Sequence, residues 1–380
     1  MSFVLRPNMP LAAELRRAVS DRLARAAAHL RPARHGPITD RDVHEARKML
    51  KQARAVVRLL RPAIGGRAFR QDNTTLRDVA RALSQARDRA VLEAMIGHFQ
   101  QALTLSPPAA AALDRLRWDI ADTGADVAGS QGDAIGMTGT GTGRAEPYSP
   151  LAPALPRGQA GRRRQPASPA SLPGNFPARA PAGSAGQAPA LIPAAATDIS
   201  HAAIPARQGR LLAEVLDGMQ RRIEAWHLAD LGWRDLPGMF QRSYRRARKR
   251  FGSALAGGDD EALHESRKRL KDLWYQRRLL RRAWKPRRGL APGRLEALTE
   301  WLGEDHDLAI LQQRAREALP GEPAEQHEGR GELLRVIAAQ RSRLKDRIAR
   351  KGEKLLRKRP RAIRRKLKAA ITRQVPSRQR

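Results

Sequence analysis

VHEARKMLK, residues 43–51, and LHESRKRLK, residues 263–271, are nearly the same nine residues met twice in one chain of 380. A residue advances about 100° around an α-helix, so both copies can be projected onto a helix by hand. With His44 at zero, Lys48 lies at about +40°, Lys51 at about −20°, Arg58 at about −40° and Arg47 at about −60°. Ala46, Ala53, Val57 and Leu60 fall within about 40° of the opposite direction, with Leu50 and Val56 on the shoulders. In the second copy His264, Arg267, Lys268, Lys271 and Arg278 repeat the cationic side, and Leu270, Leu273 and Leu280 repeat the apolar one. Only Glu45 and Glu265 interrupt the cations, at about +100°. Like charges four residues apart cost a few tenths of a kcal/mol each, and solvated faces usually mix signs. The same basic face built twice is therefore expected to be a ligand surface.

Working outward, a second match follows each first one. LSQARDRAVL from Leu83 aligns with LGEDHDLAIL from Leu302, at nearly the same distance from the histidine. Repeats on this scale pack one supersecondary unit against a copy of itself. Helical spacing recurs elsewhere, with one stripe at Leu211, Leu212, Val215, Met219, Ile223 and Trp226 and another at Leu333, Ile337, Leu344 and Ile348. Leu11 to Leu30 reads as an amphipathic helix. Aromatic residues are only 4% of the chain and β-branched runs are scarce, so the fold class is all-α. Between the halves, IGMTGTGTGRAEPYSPLAPALP and its surroundings lose all periodicity to Gly, Ala, Pro and Ser, which predicts a disordered insert. The expected organisation is an N-terminal half at 9–120, the insert at 121–206, a C-terminal half at 207–347 and a basic tail at 348–380. The two halves should form a pseudo-symmetric helical bundle around a basic groove or pore.

Charge narrows the function. Lysine and arginine number 73 against 38 acidic residues, a formal +35, and such an excess calls for a polyanionic partner. The absence of cysteine removes thiol catalysis, disulfides and cysteine-ligated zinc. No apolar run reaches the ~20 residues of a membrane span, and the first thirty residues lack a signal-peptide core, so a cytoplasmic location is expected. Heavy use of Ala, Arg, Pro and Gly fits a high-GC bacterial coding sequence.

Enzyme patterns fail on inspection. HEARK and HESRK approach the zinc-protease pattern His-Glu-x-x-His, but Lys48 and Lys268 stand where the second ligand should be. His306 beside Asp307 resembles a phosphohydrolase dyad, yet the repeat aligns His306 with Arg87 and Asp307 with Asp88, so the carboxylate is expected to anchor a cation of the neighbouring helix. GTGTGR lacks the lysine of a phosphate loop. Thr39 to Asp42 and Asp259 to Glu261 supply caps just upstream of each histidine, placing it in the first turns of its helix. The helix dipole there favours anions and disfavours a proton on imidazole, so each histidine should gain charge when a polyanion binds.

These residues resemble the CHAD domain, a helical domain named for its histidines. The likeness is closest in PGMFQRSYRRARKRFGSALAGGDDEALHESRKRLKDLWYQRRLL, residues 237–280, and VHEARKMLKQARAVVRLLRP with LRDVARALSQARDRAVL looks like the matching first repeat. The resemblance implies a basic pore or groove that binds inorganic polyphosphate, with association to polyphosphate granules. It implies ligand roles for His44, Arg47, Lys48 and Lys51, and for His264, Arg267, Lys268 and Lys271; Arg58 and Arg278 join the expected ligand set through the projected basic face. Arg245, Arg248 and Lys249, after Tyr244, match a basic helix preceding the second motif. Some relatives carry a triphosphatase segment with a Glu-x-Glu-x-Lys strand; this sequence contains none, so a binding protein without catalytic, metal or cofactor chemistry is expected. Bare phosphate chains need closely spaced cations and no stacking platform, whereas single-stranded nucleic acid wants interleaved aromatics, which occur only as Trp274 and Tyr275 in the second copy. Non-specific nucleic-acid binding is the alternative, a polyphosphate-metabolising enzyme the third reading. The run RKGEKLLRKRPRAIRRKLKAAITRQ suits contact with polyphosphate, DNA or acidic lipid, or a plain solubilising extension.

Overall fold

The computed structural model describes residues 3–31, 38–85, 96–101, 103–116, 204–285, 290–317 and 324–377. The expected insert at 121–206 lies outside them except for its last three residues, and so do Arg87 and Asp88 of the first repeat. Ten helices are described: α1 (Leu11–Leu30), α2 (Asp40–Gln85), α3 (96–101), α4 (107–116), α5 (Ala206–Glu224), α6 (Leu236–Gly257), α7 (Asp260–Leu279), α8 (Pro292–Glu317), α9 (Ala324–Leu356) and α10 (Pro360–Gln374). The all-α class holds for these residues, whose only β pairing is an isolated antiparallel bridge between Ile38 and Ile204.

Both motif helices begin where the capping residues stand. Thr39 accepts a hydrogen bond from the Asp42 amide at 3.2 Å, and Asp259 accepts one from the Ala262 amide. The projected apolar faces are the buried ones. Ala46, Leu50, Ala53, Val56, Val57 and Leu60 on α2, and Leu270, Leu273 and Leu280 of the second copy, are fully or nearly fully buried. The long helix α2 breaks once, at Gly65, whose φ of 77° and ψ of 166° leave helical space three residues after Pro62. A side chain there would be strained by the backbone angle alone.

Packing runs in two connected groups. α1 lies on α2 and α5, while α6, α7, α8 and α9 pack in succession and α10 lies on α6. The N-terminal segment is pinned across them: the Leu5 amide donates to the Leu279 carbonyl at 2.9 Å, and the Trp233 indole donates to the Met9 carbonyl at 2.9 Å. Buried Glu14 is enclosed by Arg6 and Arg17; burial would raise its pKa, but their hydrogen bonds prevail and hold it at about 2.

Two sequence expectations change. On α5 the stripe is rotated, because Gly209, Ala213, Leu216, Met219 and Ile223 face the core, leaving Leu211 and Val215 outside at 54% and 44% exposure. Gly209 sets that rotation, since a Cβ there would overlap Ile38 and the Leu30 carbonyl. The boundary placed at 347/348 falls inside α9, which runs unbroken to Leu356 with Leu344 and Ile348 in the same buried stripe.

α2 and α7 meet directly, joined by a Gln276 amide donating to the Ala55 carbonyl at 2.8 Å and by Arg58, whose guanidinium reaches both oxygens of Asp272 at 2.7 Å. Both charged side chains are about 15% exposed, so truncating one leaves a poorly solvated charge. Arg58→Met is expected to lower unfolding free energy by about 2–3 kcal/mol. A double-mutant cycle with Asp272→Asn in urea melts should give a coupling above about 1 kcal/mol.

Candidate functional site

Asp272 is the centre of a group of arginines supplied by three helices. Besides Arg58, Arg269 of α7 approaches it at 3.5 Å. Arg54, one turn before Arg58, donates to Asn73 at 3.0 Å; burial and the charge of Arg58 push it down to about 10. From α6, Arg246 is held below its ordinary value by burial and by the charges of Arg61 and Arg269. Four arginines, Arg54, Arg58, Arg246 and Arg269, therefore lie within the electrostatic range of Asp272, with Arg61 next to Arg246 and Glu265 at 3.8 Å from Arg269, and the repulsion among them favours any anion that joins. Of these only Arg58 was expected. Its place on the basic side of the projected helix is correct, but its guanidinium is engaged with Asp272. The spacing of Arg54, Arg58 and Arg61 at i, i+4 and i+7 was the available signal for the others on α2. Nothing local pointed to Arg246, because only folding brings α6 beside α2.

The two copies of the motif share a detail at the helix surface. Lys48 pairs with Glu45 at 3.0 Å, and Lys268 pairs with Glu265 at 2.5 Å, both at i,i+3 and with each lysine 44% exposed. The glutamates that interrupt the cationic faces thus hold one lysine on each. His44 and Lys51 are exposed on α2 and Arg47 is half-buried.

In the second copy α8 covers part of the basic face. The His264 ring stacks on His306 of α8, with centroids 4.1 Å apart and planes 33° apart. Beside them Arg267 is partly buried against Gly303, where a Cβ would come within 2.8 Å of the guanidinium, and its Nε has no hydrogen-bond partner. Burial lowers the Arg267 pKa while Asp307 opposes the shift, so the aspartate acts on a cation of the neighbouring helix. Lys271 is pushed down to about 8 by burial and by Arg267, and lies 4.8 Å from the Trp274 ring, which Arg278 also approaches at 5.0 Å. Trp274 is thereby buried under its own neighbours and offers no stacking face. Among the described residues no three His, Asp or Glu side chains converge to hold a metal, and no helix is long and apolar enough to cross a membrane.

On α6, Tyr244 is buried, and its hydroxyl lies 2.9 and 2.8 Å from the Leu356 and Lys358 carbonyls, one of which it donates to. Arg248 donates to the Leu356 carbonyl at 3.0 Å. Arg245, Arg248 and Lys249 line a cleft of about 890 Å³ with Arg357. Arg246, on the neighbouring side of α6, feels the charges of Arg61 and Arg269 and also that of Arg245.

Both histidines of the stack titrate low. Burial, then Lys268 and Arg267, depress His264; burial, then His264 and Arg267, take His306 to about 4. The unfolded chain binds a proton on these residues near 6.5, before the folded chain does, so stability is full above that value and falls as pH drops toward about 4. Between about pH 7.5 and about pH 5 the wild-type chain should lose on the order of 1–2 kcal/mol more stability than His306→Gln, after allowing for the partial solvent contact of the ring. Chemical denaturation at the two pH values measures the difference.

The chain matches the CHAD domain over residues 17–129 and 190–316, and it belongs to that family. No curated protein matches it.

Proposed function

We propose that this member of the CHAD domain family binds inorganic polyphosphate through the cationic residues of α2, α6 and α7, as a binding protein rather than an enzyme. The carrying observation is the imbalance around Asp272, which stands among Arg54, Arg58, Arg246 and Arg269, with Arg61 next to Arg246 and Glu265 3.8 Å from Arg269. Such a site is destabilised by its own charge and is relieved by a dense, flexible anion. The family is associated with polyphosphate binding, and the residues fit that ligand. Phosphate oxygens accept charge-assisted hydrogen bonds from guanidinium in fixed fork geometry, and a polymer of them supplies many at close spacing.

The exposed cations of the first motif, His44, Lys48 and Lys51, extend the contact along α2, and His264, Arg267, Lys268 and Lys271 extend it along α7. In this reading the two motif helices act as paired halves of one bundle around a basic groove. Partly buried Lys271 and the neutral histidine pair hold cationic capacity that a bound anion draws out. Binding releases counterions and weakens steeply with salt. Association with polyphosphate granules in the cytoplasm follows from the ligand.

The alternative is a nucleic-acid binder using the same charge. On the described motif helices Trp274 offers it no stacking platform, because Lys271 and Arg278 cover the ring. Displacement of labelled long-chain polyphosphate by DNA at equal phosphate concentration separates the two. DNA is expected to compete poorly, and Lys48→Ala/Lys51→Ala/Arg61→Ala/Arg246→Ala, all exposed positions, should weaken polyphosphate binding by at least tenfold. Equal competition by DNA, with the variant binding as before, would reject the proposal.

A further inference from the structure

α10 lies beyond the segments that match the family domain, which end at residue 316. From Lys354 to Arg380 the sequence has no acidic residue, and residues 357–374 carry nine lysines and arginines. A helix of this composition has little reason to form alone, because like charges three and four residues apart cost a few tenths of a kcal/mol each. One face holds it in place. Ile363, Leu367, Ala370 and Ile371 are buried, and the helix packs on α6. The turn before it is fixed by Tyr244 and Arg248 of α6 at the Leu356 and Lys358 carbonyls. The fold thus orders a cationic helix and leaves its other face bare.

The placement of charge on that bare face points to a ligand. With buried Leu367 at zero, Arg364 lies at about 60°, Lys368 at about 100°, Arg361 at about 120° and Arg365 at about 160°. Lys366 and Arg373 lie at about −100° and −120°, on the opposite flank. All six are exposed. The neighbouring Lys366 lowers the pKa of Lys358 in the turn, through a hydrogen bond and then through its charge, so two lysines crowd together on this surface. An anion that bridges them relieves the repulsion.

A helix with cations on both flanks fits between two anionic walls. The major groove of B-form DNA is such a place: it is about 12 Å wide, lies between two phosphate backbones and admits a helix about 10–12 Å across. Other polyanions fit less well. A single polyphosphate chain is one narrow strand and follows one flank, leaving the other unneutralised. A lipid surface is flat and takes up apolar residues at the crest of a helix, where Arg365 and Thr372 stand. The major groove of double-stranded RNA is too narrow for side chains to read. Single strands want exposed rings, and α10 contains no aromatic residue.

We propose that α10 is a docking helix for duplex DNA, entering the major groove with its two cationic flanks against the phosphate backbones. None of these cations belongs to the polyphosphate site on α2, α6 and α7, so the two readings stand or fall separately. Both sites on one chain tether the two polyanions to each other.

Fluorescence anisotropy of a short labelled DNA duplex, titrated with the full chain at several salt concentrations, tests the helix. Arg361→Ala/Arg365→Ala/Lys366→Ala/Lys368→Ala, with folding checked by circular dichroism and thermal melting, should bind the duplex at least about tenfold more weakly, with a double-logarithmic salt slope shallower by about three. The Lys48, Lys51, Arg61 and Arg246 alanine variant should keep the duplex affinity of the unaltered protein within about twofold. No duplex binding by the unaltered protein, or equal binding by the α10 variant, would overturn the inference. So would an equal loss in the α2 and α6 variant. Single-stranded DNA or double-stranded RNA bound as tightly as the duplex would also overturn it, since neither offers the groove. If the α10 variant lost binding to phosphatidylserine vesicles or to polyphosphate but kept the duplex, the helix would belong to that ligand and the inference would fail.

Discussion

One carboxylate, Asp272 of α7, is bonded by Arg58 of α2 and lies within the electrostatic range of Arg246 of α6. Arg58 of α2 reaches it at 2.7 Å and Arg269 of α7 at 3.5 Å, while Arg54 and Arg246 stand within its electrostatic range and Arg61 within that of Arg246. The apolar faces of α2 and α7 drive the contact, since Val56, Leu59, Leu270 and Leu273 are fully buried or nearly so. Hydrophobic burial is non-directional, however, and the ion pair with the Gln276 to Ala55 hydrogen bond sets the register in which the helices meet. The cost is a residual positive charge in a partly desolvated place. That charge is the property from which the proposed function follows.

The same compromise recurs at the other cationic positions. Arg267 keeps an unbonded Nε against Gly303, and Lys271 titrates at about 8 because burial and a cation both oppose its charge. The histidine stack stays neutral for the same reasons. A fold selected only for stability would replace such groups with apolar ones. Their presence on the cationic side of α7 is consistent with a ligand that supplies the missing negative charge.

Much of this was legible in the sequence. The helical projection placed the buried residues of α2 and α7 correctly, because a long amphipathic helix leaves its apolar stripe little freedom. Capping by Thr39 and Asp259 was readable for the same local reason. What was not legible depended on neighbours far along the chain. Arg58 projects onto the basic face, but nothing local says that Asp272 lies opposite. His306 was read through its alignment with Arg87, whereas its position is explained by His264, some forty residues earlier in sequence and 4.1 Å away in space. The low pKa of His264 was expected from the helix dipole, yet burial and the charges of Lys268 and Arg267 depress it. On α5 the apolar residues outnumber those that one face can bury, so Gly209 and its contact with Ile38 decided which of them stayed outside.

The charge imbalance at Asp272 is open to a direct measurement: polyphosphate affinity of Asp272→Asn, which keeps the side-chain shape and removes its charge. If the arginines there receive the polyanion, the variant is less stable in the free state and yet binds polyphosphate severalfold more tightly, with a steeper salt dependence. A variant that is less stable and binds no better than the unaltered chain would show that the cluster is scaffold, and would contradict the account.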